Sequence, residues 1–201
     1  MAPSSRGVHA AGATLGQEHV QPLRKQLQNA DDDIVVLDLS RIESATASYL
    51  KATVIWLIQS AKLAAVDGRE SRAPRGAHDP VPLRIYPLVT GLSADVREEL
   101  DAVLPGFRLP CLEALQYSKD RISRASLHGP LDDAGSDTLK VLSQCGSATA
   151  ASLCDQFADR KISATGWNNR LADLYALRLA RRRKEGRQWV YELVATEVVN
   201  G

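Results

Sequence analysis

The sequence predicts a mixed α/β protein in two blocks: an N-terminal sheet with helices, and a C-terminal group of three helices followed by a β-hairpin. Two observations support this class. In the first half, short β-branched runs alternate with segments whose apolar residues recur every three or four positions, as in an α/β layer. In the second half, three helical segments, two of them with a cap candidate, precede two extended segments joined at a glycine. The blocks are expected over residues 8–116 and 136–199, joined by a linker over residues 117–135.

The clearest strand in the first block is the run IVVLDL over residues 34–39, which is short, apolar and β-branched, as in a buried strand. A helix is expected before it over residues 15–27, and the three aspartates at positions 31–33 favour a solvated turn between the two. A long helix is predicted over residues 46–65, because its apolar residues recur at three- and four-residue steps.

The rest of the first block is predicted to continue the alternation of strands and helices. A strand is expected over residues 83–89, and Pro87, which has no N–H to donate, favours an edge strand or a strand end. Ser93 is a suitable N-cap for a helix over residues 94–104. A further extended segment is expected over residues 107–115.

The second block is predicted to begin with three helices. Ser136 is the expected N-cap of a first short helix, residues 149–157 form a second, and Ser163 caps a third over residues 164–177. These caps are favoured because a side-chain oxygen can accept a hydrogen bond from a backbone N–H that the helix leaves unpaired.

The third helix and the hairpin after it are the most informative part of the chain. Trp167, Leu171 and Leu174 share one face of the helix and are expected to pack inward. Two extended segments follow within residues 179–194, and they are predicted to form a hairpin that turns at Glu185–Gly186.

The charge of the chain is concentrated in one segment. The formal net charge of the 201 residues is +1, but residues 160–190 contain nine Lys or Arg against two acidic residues, a local charge of +7. Such a basic patch on an otherwise balanced protein favours contact with an anionic partner such as nucleic acid. The nine residues are Arg160, Lys161, Arg170, Arg178, Arg181, Arg182, Arg183, Lys184 and Arg187.

The order of three helices and a hairpin over residues 136–194 resembles the winged helix-turn-helix of bacterial regulators. In that family the third helix enters the major groove of DNA, and the hairpin, called the wing, lies along the phosphate backbone. The resemblance implies that this block binds double-stranded DNA. Trp189 and Tyr191 are expected to pack within the wing rather than stack on bases.

Nine residues are candidate DNA contacts. On the third helix, Asn can pair with adenine and Arg with guanine through two hydrogen bonds each. On the hairpin, cations can neutralise phosphates, which supplies the larger and sequence-independent part of affinity. The helix candidates are Thr165, Asn168, Asn169 and Arg170, and the hairpin candidates are Arg181, Arg182, Arg183, Lys184 and Arg187.

The segment IVVLDLSRIESATASYL, residues 34–50, resembles the anti-sigma-factor antagonists, whose fold is the STAS domain. In that family a strand ends in a D-[LF]-S-x-[VI] segment, matched here by Asp38, Leu39, Ser40 and Ile42. A loop then leads to a serine at the start of the next helix, matched by Ser48. The resemblance implies a STAS-like domain over the first block and a phospho-switch at Ser48 that controls a protein partner.

The chain departs from the antagonists next to this serine. Where the family has D-S-S-G, this chain has Thr46, Ala47, Ser48 and Tyr49, so a tyrosine replaces the glycine. Two interpretations stay open. Ser48 is a switch at a helix N-terminus, where the helix dipole favours an added negative charge. Alternatively, and this is the favoured interpretation, Thr46 or Ser48 only caps the helix and Asp38 only holds the loop.

No motif in the sequence indicates an enzyme. Phosphate-binding glycine loops and nucleophile elbows are absent, and the four histidines lack partners at metal-ligand spacing, so no catalytic residue, metal or cofactor is expected. The three cysteines include no CxxC pair, which favours free thiols in a reduced, cytoplasmic setting. The most apolar run, residues 49–66, is interrupted by Lys51 and Lys62 and is not expected to cross a membrane.

Three functions are compatible with these patterns. The first is a DNA-binding transcriptional regulator whose STAS-like domain senses, dimerises or recruits a partner. Most regulators of this type act as dimers on two half-sites, so a homodimer is compatible with that case, but no heptad or long free helix indicates where it would form and the oligomeric state stays open. The second is a protein-interaction adaptor with an antagonist-like phospho-switch. The third is a subunit that binds DNA without sequence preference within a larger defence or DNA-processing complex.

Overall fold

A five-stranded sheet lies at the centre of the fold, which is mixed α/β as the sequence predicts. The computed structural model describes residues 8–65, 79–119 and 121–200. The strands are β2 Asp31–Asp38, β4 Arg84–Thr90, β5 Cys111–Ser118, β6 Arg121–His128 and β10 Ala195–Asn200. Their order across the sheet is β10, β6, β5, β4, β2, and β5 with β6 is the antiparallel pair in an otherwise parallel arrangement.

Alternate residues of β4 point to opposite faces of this sheet. Ile85 and Val89 belong to the cores beneath the N-terminal helices, whereas Tyr86 and Leu88 belong to the core shared with the C-terminal helices. Neither position predicted from Pro87, an edge strand or a strand end, is correct, because β4 lies between β2 and β5 and the proline is its middle residue. The proline is tolerated since the β4–β5 pairs begin only at the next residue.

The N-terminal helices cover one face of the sheet. They are α1 Ala13–Leu27, α2 Ala47–Leu50, α3 Trp56–Ala65 and α4 Ala94–Phe107, with a small parallel pair of strands, β1 Val8–Ala10 and β3 Ile42–Ala45. A π-helical turn, Lys51–Ile55, joins α2 and α3 into the one long helix that the sequence predicts. At this turn α1 crosses so closely that a Cβ on Gly16 would lie 2.8 Å from the Cβ of Ala52. Glycine is therefore required at the crossing.

The C-terminal elements cover the other face. They are α5 Asp133–Cys145, α6 Ala150–Gln156, α7 Ala164–Ala176 and an antiparallel sheet of β7 Ser147–Ala148, β8 Ala180–Glu185 and β9 Gln188–Leu193. Ser163 caps α7 as predicted, and Thr149, expected as the first residue of the second helix, is instead the N-cap of α6. The cap of α5 is Asp132 and not Ser136, because the Asp132 carboxylate accepts the N–H of Gly135 at 2.7 Å.

Residues 117–135, predicted to be a linker, instead contain strand β6 between the end of β5 and the start of α5. The segment is polar because only part of β6, including Ile122 and Ala125, is buried. The last strand, β10, was assigned to the C-terminal block over residues 136–199 but pairs with β6 in the central sheet. The two predicted blocks therefore share a sheet and one continuous hydrophobic core.

A polar network joins α4 to β5 and β6 on the side of the N-terminal helices. Arg97 donates two hydrogen bonds, at 2.9 and 3.2 Å, to the buried carboxylate of Glu113. His128 lies 3.0 Å from Glu113 through Nε2 and 3.0 Å from Asp101 through Nδ1. Burial acts to raise the pKa of Glu113, but the hydrogen bonds from Arg97 and His128 outweigh it, and the pKa is lowered. His128 lies in the segment predicted to be a linker, and no local pattern in the sequence indicates this role.

We expect Glu113→Gln to lower the free energy of unfolding at pH 7 by about 2 kcal/mol, the usual scale for a hydrogen bond to a charged group. The folded pKa of Glu113 lies below its unfolded value of about 4.3. The contribution of the ionised Glu113 carboxylate to the free energy of unfolding is therefore present above the unfolded pKa and is lost as the pH falls through the folded pKa. Urea unfolding should show the difference from the wild type shrinking between pH 7 and pH 3.

Asp101→Asn is the matched control, because Asp101 makes one contact with His128 and its side chain is 46% exposed. Its effect at pH 7 should be smaller than that of Glu113→Gln. A Glu113→Gln effect of equal size at pH 7 and pH 3 would contradict the assignment of the ionised carboxylate.

Candidate nucleic-acid interface

Helix α7 buries one face and exposes a polar row on the other. Its fully buried anchors are Trp167, Leu171 and Leu174, as the sequence predicts. Thr165, Asn168 and Asn169 are exposed and have no polar partner among residues 8–65, 79–119 and 121–200. Their hydrogen-bonding groups are therefore available to a ligand.

Arg170, the fourth helix candidate, is held by the protein itself. Its Nη1 lies 3.4 Å from the Asp137 carboxylate, and its guanidinium lies 5.6 Å from the centre of the Trp167 ring. Arg160 forms a second ion pair with the same carboxylate. Asp137 therefore pairs with two of the nine basic residues of the patch and offsets one of their two charges, and a DNA base would compete with it for Arg170.

The β8–β9 hairpin divides its cations between two faces, because successive side chains of a strand point to opposite sides. We call the face that bears Arg181 and Arg183 the inner face. Here Arg181 Nη2 lies 2.9 Å from Glu192, and Arg183 pairs with Glu185. Both cations of the inner face are thus neutralised by neighbouring carboxylates.

The opposite, outer face bears Arg182 and Lys184. The Arg182 guanidinium lies 4.0 Å from the centre of the Tyr175 ring and 4.3 Å from that of Trp189. These cation–π contacts fix the side chain, while its N–H groups have no acceptor within the described part of the chain. Lys184 and, in the two-residue turn, Arg187 are exposed and also lack a carboxylate partner there. Trp189 is 39% exposed but contacts Arg182 on the neighbouring strand, and Tyr191 is buried, so both residues pack within the hairpin as the sequence predicts.

A second arginine, Arg178, extends the cation–π contacts from Tyr175 into the core. The Arg178 guanidinium lies 5.2 Å from the Tyr175 ring and 5.1 Å from the ring of Tyr86 on β4. Its Nε donates to the carbonyl of Ala61 at 2.9 Å, and Nη1 lies 3.7 Å from Asp32. We call this series the aromatic–arginine ladder: Tyr86, Arg178, Tyr175, Arg182 and Trp189. The sequence places Arg178 in the basic patch, but only 3% of it is exposed, so it is not a surface cation.

The segment around Ser48 forms the N-terminus of helix α2 and includes its N-cap. Thr46 Oγ1 accepts the N–H of Tyr49 at 3.4 Å and is the N-cap of α2. Ser48 is exposed in the first turn, with Oγ 3.1 Å from Thr46 Oγ1. Asp38 accepts the N–H of Ser40 at 2.8 Å, which lowers the pKa of Asp38 and holds the loop after β2. The capping role of Thr46 is confirmed, and the phosphorylation of Ser48 stays a prediction.

No protein family, curated protein or solved structure matches this chain. Within the part that the structure describes, no helix is long and apolar enough to cross a membrane, and no group of three or more His, Cys, Asp or Glu could hold a metal ion. Functional inference therefore depends on the geometry of the side chains described above.

We expect substitution of Arg178 to destabilise the protein in two separable ways. Arg178→Ala and Arg178→Gly remove the same side-chain contacts, but alanine must also adopt the left-handed φ of 60° that Arg178 has. Arg178→Gly should lower the free energy of unfolding by about 2 kcal/mol, the scale of a desolvated cation–π contact. Arg178→Ala should be less stable than Arg178→Gly by about 1 kcal/mol. Urea unfolding measures both, and a glycine variant as stable as the wild type would contradict a stabilising role of the buried guanidinium.

Proposed function

We propose that the chain is a DNA-binding protein in which α7 enters the major groove of a duplex and the β8–β9 hairpin follows the phosphate backbone. The element order α5, β7, α6, α7, β8, β9, with β7 paired to β9, supports a winged helix-turn-helix assignment. In that arrangement α7 is the recognition helix. Thr165, Asn168 and Asn169 are then the side chains that meet base edges.

The main support is the outer face of the hairpin, where the cations lack carboxylate partners in the described residues. Arg182 is fixed by two rings with its N–H groups available, and a pre-ordered guanidinium loses less entropy when it binds phosphate. Lys184 and Arg187 add two further exposed charges. This face therefore suits phosphate oxygens, which receive most protein–DNA hydrogen bonds.

The polar row of α7 and the outer face of the hairpin form one surface. Thr165, Asn168 and Tyr175 lie on one side of the helix, because they are related by steps of three and four through position 172. Tyr175 in turn contacts Arg182. Groups that can read a groove therefore lie next to groups that can bind the flanking phosphates.

We further propose that the protein is a regulator, with a STAS-like N-terminal block that senses, dimerises or recruits a partner. The exposed Ser48 at the start of α2 and the Asp38–Ser40 turn are consistent with this role. Because this block shares its core with the C-terminal elements, a change in its packing would act directly on α7.

We expect the double variant Arg182→Ala, Lys184→Ala to reduce the salt dependence of duplex binding. Each phosphate contact contributes about 0.9 to the slope of log K against log[salt], so the slope should fall by about 2. Fluorescence anisotropy of a labelled 20-base-pair duplex over a series of salt concentrations measures it.

The matched control is Lys25→Ala, Arg41→Ala, which removes the same charge from exposed positions of the N-terminal block. The control should keep the wild-type slope. A slope that falls equally in both double variants would show that net charge, and not the outer face, determines binding.

We expect Asn168→Ala, Asn169→Ala to affect specific binding alone. Loss of a bidentate base contact costs about 1–3 kcal/mol, so affinity for a selected site should fall by roughly 5- to 150-fold while affinity for random duplex stays constant. Selection from a random duplex library followed by competition binding tests this. Failure to enrich any sequence more than about tenfold over random duplex would favour the non-specific subunit instead.

A further inference from the structure

A polar cleft lies between the central sheet and the inner face of the hairpin. Its volume is ≈ 650 Å³, and a second cavity of ≈ 360 Å³ continues from it beneath the hairpin. The two cavities share Ile34, Arg121, Ile122 and Arg181 as lining residues. Volumes of this size are typical of small-molecule sites. The sequence predicted Arg181 to contact DNA, but the structure places it in the wall of this cleft.

Two cations that line the cleft, Arg121 and Lys119, have no carboxylate partner in the described part of the chain, although Asp32 and Asp33 line the cleft as well. Arg121 donates from both Nε and Nη2 to the neutral hydroxyl of Thr196, at 3.2 Å in each case. This holds the guanidinium in place but leaves its charge without a carboxylate partner in the described part of the chain. Lys119 also lacks a carboxylate there and lines the same cleft. A fixed guanidinium with free N–H groups, in the same cleft as an ammonium, suits the oxygens and the charge of a phosphate.

Two other side chains in the cleft suit the remaining parts of a nucleotide. Tyr117 lines it with 51% of its surface exposed, so its ring is available for stacking. Asp33 has no cation partner in the described residues, and one of its oxygens accepts the N–H of Asp31 at 3.3 Å. A carboxylate in this position can accept hydrogen bonds from sugar hydroxyls, as acidic residues do in dinucleotide sites.

We propose that this cleft binds a mononucleotide, with the phosphate on Arg121 and Lys119, the base on the ring of Tyr117 and a ribose hydroxyl on Asp33. The proposal goes beyond DNA binding, because the ligand is a small effector and lies on the inner face of the hairpin. Arg182 and Lys184 project from the opposite face of β8, so a bound nucleotide and a bound duplex would not occupy the same surface.

Isothermal titration of the full chain with AMP, adenosine and inorganic phosphate tests the proposal. AMP should bind saturably and at least about tenfold more tightly than adenosine or phosphate alone, because each lacks one of the two anchors. Tyr117→Ala should weaken AMP binding by at least about fivefold, whereas Tyr117→Phe should keep it, since stacking needs the ring and not the hydroxyl. Arg121→Ala should weaken AMP binding by at least about tenfold.

Lys119→Ala is a second test that removes no intramolecular contact of the described residues, and it should weaken AMP binding by about threefold. Lys140→Ala, an exposed position on α5, is the control and should bind AMP as the wild type does. Absence of saturable AMP binding, equal affinity for AMP and phosphate or adenosine, or unaltered affinity in both Arg121→Ala and Lys119→Ala would overturn the proposal. The titration contains no DNA, so its outcome is independent of whether the chain binds a duplex.

Discussion

One buried cation, Arg178, holds the two halves of this protein together. It follows α7 in a left-handed conformation and directs the chain into β8. Its guanidinium packs against a ring of the sheet and a ring of α7, bonds to a carbonyl of α3 and lies near Asp32. Because a buried charge is costly unless such contacts are made, β4, α3, α7 and β8 must assemble together. The position of α7 relative to the sheet is therefore fixed by the core and not by a linker.

The hairpin is anchored at both ends by this arrangement. Arg178 fixes the chain just before β8, and β10, which follows β9 after one residue, pairs with β6 in the central sheet. The aromatic–arginine ladder continues this fixed arrangement of side chains from the buried Tyr86 to the exposed Trp189. Side chains held in this way need less ordering when a ligand binds, which reduces the entropic cost of association. The same anchoring places the inner face of the hairpin against the sheet and so forms the cleft.

Local sequence patterns predicted the helices that local interactions stabilise. They did not predict the strand and the ion pairs whose partners are distant in the sequence. Helices α6 and α7 were predictable because Thr149 and Ser163 cap them and apolar residues recur at helical spacing. Strand β6 was not predictable from local patterns. Its Arg and Ser residues are explained only by its half-exposed position beside β5 and β10. The basic patch was overestimated for the same reason. Asp137 lies 23 and 33 residues from the two arginines with which it forms ion pairs, and no local signal indicates that pairing.

Arginines of the same short segment have different roles, and strand register explains the difference. Arg181 and Arg182 are adjacent in sequence, yet one lines the cleft beside Glu192 and the other lies between two rings on the outer face. Because the side-chain period of a strand is two, a shift of β8 by one residue would exchange the two faces. That register is set where β8 begins, by the pairing of Ala180 with Leu193 directly after the buried Arg178. The division of charge between the proposed surface for DNA and the proposed nucleotide cleft is thus a consequence of how the core fixes one end of a hairpin.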